Sequence, residues 1–150
     1  MQTKSKTVMN ILVFVVALLL IASVRGKTTA TVSVDEECLT LTGPDGYSRA
    51  IDYDQIDPAS VKLLNEEDLE DPGSAVTGGE NRKYRWGQWE NAVWGKYTLC
   101  VQRKIDAAVC FQTTDGETVI FNVESEDTTN AFADAFSEMV LYYQNEEATA

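Results

Sequence analysis

Lys96–Val123, KYTLCVQRKIDAAVCFQTTDGETVIFNV, is the stretch on which the reading of the fold turns. It divides into three strands, Lys96–Arg103, Ala107–Thr113 and Glu117–Val123, whose residues alternate with a period of two. The last two meet at Asp115-Gly116, a strong hairpin signal. On strand parity Tyr97, Leu99 and Val101 form a core face and leave Cys100 on the other. Val109 and Phe111 likewise leave Cys110 outward. If the Lys104–Asp106 turn sets a symmetric register, the two sulfurs face each other across neighbouring strands. Cys100–Cys110 is then a candidate disulfide in an exported protein. The alternative is that all three cysteines, Cys38 included, fill space as small hydrophobes. A two-residue Asp115-Gly116 turn would align Cys110 with the core residue Phe121. A loop of odd length with Gly116 in a bulge restores the parity.

Moving outward toward the N-terminus, the periodicity stops. Glu66–Gly79 is acidic and rich in Gly and Ser, as an exposed connection is. It merges into Asn81–Trp94, which holds all 3 Trp of the chain and three of its basic residues. The whole of 66–94 reads as loop. Before it, strands are expected at Thr29–Asp35, Cys38–Thr42 (Leu39 and Leu41 inward), Tyr47–Tyr53 and Ile56–Leu64. Tyr47, Arg49, Ile51 and Tyr53 share one face of the third, and Pro58 loosens the start of the fourth. Gly43-Pro44-Asp45-Gly46 is turn chemistry between the second and third. On the C-terminal side, Asp127 can cap a helix over 127–143, with Phe132, Phe136, Met139, Val140 and Tyr143 on one stripe. Seven strands in meander order followed by one amphipathic helix make an α+β fold with the helix segregated, occupying residues 28–150.

Residues 1–27 are of a different kind. The run ILVFVVALLLIASV, Ile11–Val24, carries no charge and is flanked by Lys4, Lys6, Arg25 and Lys27. Counted from Val8 it is 17 residues, a helix of about 25 Å. That is the short end of a transmembrane span and the long end of a signal-peptide core. Without an Ala-x-Ala triplet or a Cys directly after the run, an uncleaved anchor is the favoured reading and a cleaved signal the other. Both place the folded part outside the cytoplasm, and the favoured anchor makes this a single-pass membrane protein with an extracytoplasmic domain; a buried helix of a cytosolic domain is the remaining alternative.

The composition narrows the chemistry. The folded part carries 8 basic against 24 acidic residues, a formal charge of −16. That field repels nucleic acid, anionic headgroups and phosphoinositides. With 0 His, the usual triad base and the commonest transition-metal ligand are missing. There is no nucleophile motif, phosphate-cradling glycine loop or metal-ligand spacing, so neither catalysis nor a cofactor is expected. What stands out is a basic and aromatic cluster, Arg82, Lys83, Arg85, Trp86, Trp89 and Trp94, in an otherwise acidic sequence. It is the candidate partner-binding surface, against the plainer reading that its aromatic rings pack the fold.

Several segments also carry a family resemblance. Leu39-Thr-Leu-Thr-Gly43, running on to Tyr47-Ser-Arg-Ala-Ile-Asp-Tyr-Asp-Gln-Ile56, resembles the opening hairpin of the bacterial pleckstrin-homology-like (PH-like) domains. Val61-Lys-Leu-Leu64 is similar to their next strand. Gly87–Trp94 followed by Gly95-Lys-Tyr-Thr-Leu99 resembles their "Gly-x-aromatic" and "Gly-x-Tyr-Thr-Leu" segments, and Thr118–Asn122 resembles their ending. The likeness covers most of Val32–Tyr143. It departs from the family at Arg82–Trp86, where members often have an Arg-Thr-Asn-Gly-like turn. It implies a PH-like antiparallel barrel of about seven strands capped by the C-terminal helix, paired with a membrane-spanning segment. The leading functional expectation, which rests on the lone basic and aromatic loop, is a non-enzymatic, membrane-tethered module that binds a protein or peptide through the open sheet edge and the Trp86–Trp94 loop. The alternative is an exported small-ligand-binding or enzymatic domain released by signal cleavage.

Overall fold

The computed structural model describes residues 31–149. The apolar run Ile11–Val24, on which the membrane expectation rests, lies outside them. Among the described residues no helix is long and apolar enough to cross a membrane.

The fold is α+β, with mostly antiparallel sheets and a C-terminal helix. Strands β1 (Thr31–Val34), β2 (Cys38–Thr42) and β3 (Ser48–Asp52) form a small antiparallel sheet. Val32, Val34, Leu39, Leu41 and Ile51 alternate onto its buried face, as their spacing predicts. At the turn after β2, Asp45 takes the left-handed conformation at φ 59°. The larger sheet contains β4 (Ile56–Leu64), the two-residue strands β5 (Ser74–Ala75) and β6 (Gly79–Glu80), β7 (Tyr84–Asn91), β8 (Gly95–Gln102), β9 (Ala108–Thr113) and β10 (Thr118–Phe121). Its order is β4-β9-β10-β8-β7-β5, with β6 also on β7. β4 pairs with β9 through a register shift between Asp57 and Lys62, around Pro58.

The structure departs from three expectations. First, residues 66–94 are not all loop: Tyr84–Asn91 is an eight-residue strand paired along its length with β8. Second, the strands do not run as a meander. β10 lies between β8 and β9, antiparallel to β9 and parallel to β8. The reason is legible in Thr118-Val-Ile-Phe121, which is buried on both faces. Such a strand belongs at the centre of a sheet covered on both sides. Third, Cys100 and Cys110 cannot pair. Cys100 lies beside Phe121 and Cys110 beside Ile120, so β10 separates them and they point to opposite faces. All three cysteines are free thiols. The odd-length turn does occur: Thr113 N–H donates to Glu117 O at 2.9 Å, and Gly116 sits at φ 90°.

Each face of the large sheet has its own core. One holds Val109, Phe111, Val119, Phe121 and Cys100, packed against the small sheet and helix α1 (Glu126–Thr149). Phe132, Phe136, Met139 and Val140 of α1 are buried there, and Tyr143 stacks on Tyr53 with centroids 5.2 Å apart. Phe111, Phe121, Phe132 and Phe136 form edge-on, tilted and stacked ring pairs. The helix cap is Ser125, not Asp127: Ser125 Oγ accepts from Thr128 N–H at 3.1 Å. Arg49 of β3 clamps the small sheet to the large one. Its guanidinium grips both oxygens of Glu117 at 3.0 and 2.8 Å, which raises its pKa, and Thr98 Oγ1 donates to the same carboxylate at 2.5 Å.

The second core is smaller: Leu64, Trp89, Tyr97, Leu99, Val101, Ala108, Cys110 and Ile120, with Leu69 and Trp94 laid over it. Burial pushes the Cys100 thiol up to about 12 and the Cys110 thiol up to about 11 from 9.0. In the unfolded chain these thiols ionise first, so their stabilising effect is full below pH 9 and is lost as pH rises toward 11 to 12. Thermal melts are therefore expected to fall steeply above pH 9, and less so in a Cys100→Ala, Cys110→Ala variant measured relative to its own pH 7 value. Mass spectrometry after alkylation in non-reducing denaturant is expected to count three adducts. The native protein is expected to take the label at Cys38 first.

Candidate functional site

The second face of the large sheet is where the chain leaves space. β7 and β8 pair with Arg85 opposite Val101, Gly87 opposite Leu99 and Trp89 opposite Tyr97, so these six residues share that face. Ile120 of β10 lies beside Leu99. Over this floor runs the acidic segment after β4. Tyr97 Oη donates to Pro72 O at 2.6 Å, and Asn91 Nδ2 donates to Asp71 O at 3.1 Å. Burial, with the Arg85 charge opposing, pushes the Tyr97 hydroxyl up to about 12, so at neutral pH it stays a donor. Trp94 is set at the edge by Asn91, whose Oδ1 accepts from the Val93 and Trp94 N–H groups at 3.1 and 2.8 Å. Its ring meets Tyr97 edge-on at 5.1 Å.

Between sheet and segment is a cavity of about 200 Å³. Its apolar lining comes from Leu99, Val101, Ile105 and Ile120 on the sheet side, with Leu69, Pro72 and Trp94 around them. Arg85 and Arg103 enter from one side, and Glu66, Glu70 and Asp106 stand at the solvent edge. Both arginines share one carboxylate: Glu80 Oε2 lies 3.0 Å from Arg85 Nε and 3.8 Å from Arg103 Nη1. At the far end Asn122 uses its side-chain amide as one more rung of the ladder, accepting from Gln102 N at 2.8 Å and donating to Gln102 O at 3.1 Å. The trough between β4 and the Thr113–Gly116 turn is larger, about 660 Å³, but open, and apart from Ile56 and Pro58 its lining residues are mostly polar.

The basic and aromatic cluster is thus split by strand parity. Arg85 and Trp94 come together at the cavity. Trp86 and Trp89 are buried, at 5% and 3% exposure, in opposite cores. Trp86 lies against Gly43, just after β2, and Trp89 donates its indole N–H to Trp86 O at 3.0 Å. Packing accounts for both, and neither is available to a partner. Arg82 and Lys83 are exposed on the turn before β7 and line no part of the cavity. The sequence reading missed Arg103 and Glu80. The parity that aligned Tyr97, Leu99 and Val101 carries on to Arg103 and was the available signal.

No family model matches this chain, and neither does any curated protein or solved structure. Among the described residues no group of three or more His, Cys, Asp or Glu is placed to hold a metal ion. The cavity offers an apolar floor, an aromatic wall and a cationic corner.

Trp89→Ala is expected to cost about 3–5 kcal/mol of stability, as for other aromatic residues removed from a core. Arg82→Ala is expected to stay within about 0.5 kcal/mol of the parent. Urea unfolding measures both, and equal effects would contradict the division between packing and surface.

Proposed function

We propose that this protein is a non-enzymatic, membrane-tethered module that binds a protein or peptide partner by seating one apolar side chain in the cavity beside Trp94. The observation that carries the reading is the cavity of roughly 200 Å³, apolar at its floor and polar at its rim, on an otherwise covered sheet. Pockets for drug-sized molecules run to roughly 300–1,000 Å³, so this one suits a single side chain better than a whole ligand. Side chains buried in such pockets carry most of the binding energy of an interface. Pairing with an open sheet edge is less favoured. β5 and β6 are two residues long, and β4 carries Pro58 and a register break, devices that discourage strand addition.

The tether belongs to the same proposal and rests on Ile11–Val24 with its flanking lysines and Arg25, as does the extracytoplasmic placement. Kinship with the bacterial PH-like domains rests on the order of the short motifs between Leu39 and Asn122. The parallel β8–β10 pair departs from the meander such a barrel would have.

The test is site-specific photo-crosslinking in intact membranes with a benzophenone side chain in place of Trp94. Adducts are expected that fall about tenfold when Val101→Phe fills the floor. Circular dichroism and the melting temperature confirm that the variant folds. Adducts insensitive to the filled cavity would overturn the reading. Recovery of the chain in the soluble fraction, shorter by its first ~26 residues, would overturn the tether.

A further inference from the structure

The arginine pair has a feature the apolar cavity does not need. Arg85 and Arg103 reach the same face because each falls in phase with Val101, one across the β7–β8 register and the other two residues along the chain. Two guanidinium groups together at the edge of an apolar floor repel each other unless an anion lies between them. Here the anion is Glu80, and it does the work incompletely. Only Oε2 is used, the Glu80 side chain is 50% exposed, and Arg103 Nη1 lies 3.8 Å from it while donating to Asn81 O at 2.9 Å. Arg85 is more sheltered, at 22%, and engages Glu80 through Nε, leaving both terminal nitrogens for another acceptor.

We propose that Glu80 is a built-in stand-in for a carboxylate of the partner, and that the group recognised is the C-terminal residue of a peptide. Its apolar side chain enters the Leu99, Val101 and Ile120 floor while its terminal carboxylate takes the arginine pair from Glu80. This rests on the cavity being the binding site, as proposed above. One terminal residue supplies both an apolar group and a carboxylate within the reach that a cavity of about 200 Å³ permits. Bidentate Arg–carboxylate contacts are short, directional and strong, so they select for this chemistry more sharply than the floor does. Glu66, Glu70 and Asp106 at the mouth repel a second acidic group, which favours partners that are neutral or basic upstream of their last residue.

The test uses the full chain in detergent micelles and isothermal titration calorimetry with N-acetyl-leucine, N-acetyl-leucinamide and acetate as probes. N-acetyl-leucine is expected to bind weakly, its amide about tenfold more weakly, and acetate more weakly than either. Arg103→Gln is expected to abolish the preference for the acid over the amide. Glu80→Gln, which removes the competitor, is expected to tighten N-acetyl-leucine about threefold or more and leave the amide unchanged. If Glu80 only braced the fold, its variant would weaken both probes or neither. Equal binding of acid and amide, both lost on Val101→Phe, would overturn the carboxylate proposal and leave the cavity reading standing. Failure of all probes to bind, together with crosslinks unaffected by Val101→Phe, would overturn both.

Discussion

The structure depends on one constraint: Thr118-Val-Ile-Phe121 is apolar on both faces and has to be covered twice. A four-residue strand of this kind gains most at the centre of a sheet, where Val119 and Phe121 join one core and Ile120 the other. Placing β10 there forces the parallel contact with β8, and the Asp115-Gly116 turn then holds β9 on its far side. The short Arg103–Ala107 connection has to step over one strand, and Asn122 closes the ladder where the chain leaves it. The two-layer cover follows from this placement.

The two covers are unequal. On one face the small sheet, the α1 helix and the four phenylalanines pack closely, and the Arg49–Glu117 clamp fastens the sheets together. On the other face the cover is a segment without regular strands, held by two hydrogen bonds from Tyr97 and Asn91. Acidic residues spaced along that segment keep its outer side in water, so only Leu69 and Pro72 are left to press inward. A cover with so few apolar contacts does not fill the space above Leu99 and Val101. The cavity is what remains when an acidic loop covers an apolar sheet.

Much of the fold was legible because alternation survives wherever one face of a strand meets solvent. β2, β3 and the helix stripe fall where their periodicity puts them. Legibility failed where both faces are buried. Around Cys100 and Cys110 parity within each strand was right, but parity cannot say which face of one strand meets which face of another. Only strand order decides that, and the order depends on β10. β7 was missed for a related reason. In Tyr84-Arg-Trp-Gly-Gln-Trp-Glu-Asn91, tryptophans enter both cores, so the pattern has no single apolar face. Of the cluster singled out from sequence, Arg85 and Trp94 reach the cavity because each lies at an edge of the second core. Trp86 and Trp89 were taken by the demand for large apolar volume.

The same sheet edge explains how Glu80 comes to lie over the arginines. The strap formed by β5 and β6 lies so flat on β7 that side chains are excluded at its contacts. A Cβ on Gly73 would come within 1.9 Å of Glu90 O, and one on Gly78 within 2.3 Å of Trp86 O. Gly87 in β7 is confined from the other side, by Thr77 O at 2.3 Å, and takes φ 102°. Glycine is what permits this approach, since any larger residue would lift the strap away from the strand. With the strap seated, Glu80 pairs in register with Arg85, and its carboxylate reaches Arg85 and Arg103 together. Three glycines thus set an electrostatic contact to which they add no atom. A strap of two-residue strands, held mainly by backbone hydrogen bonds and close glycine contacts, is also a part of the sheet that can yield with little loss of buried apolar surface.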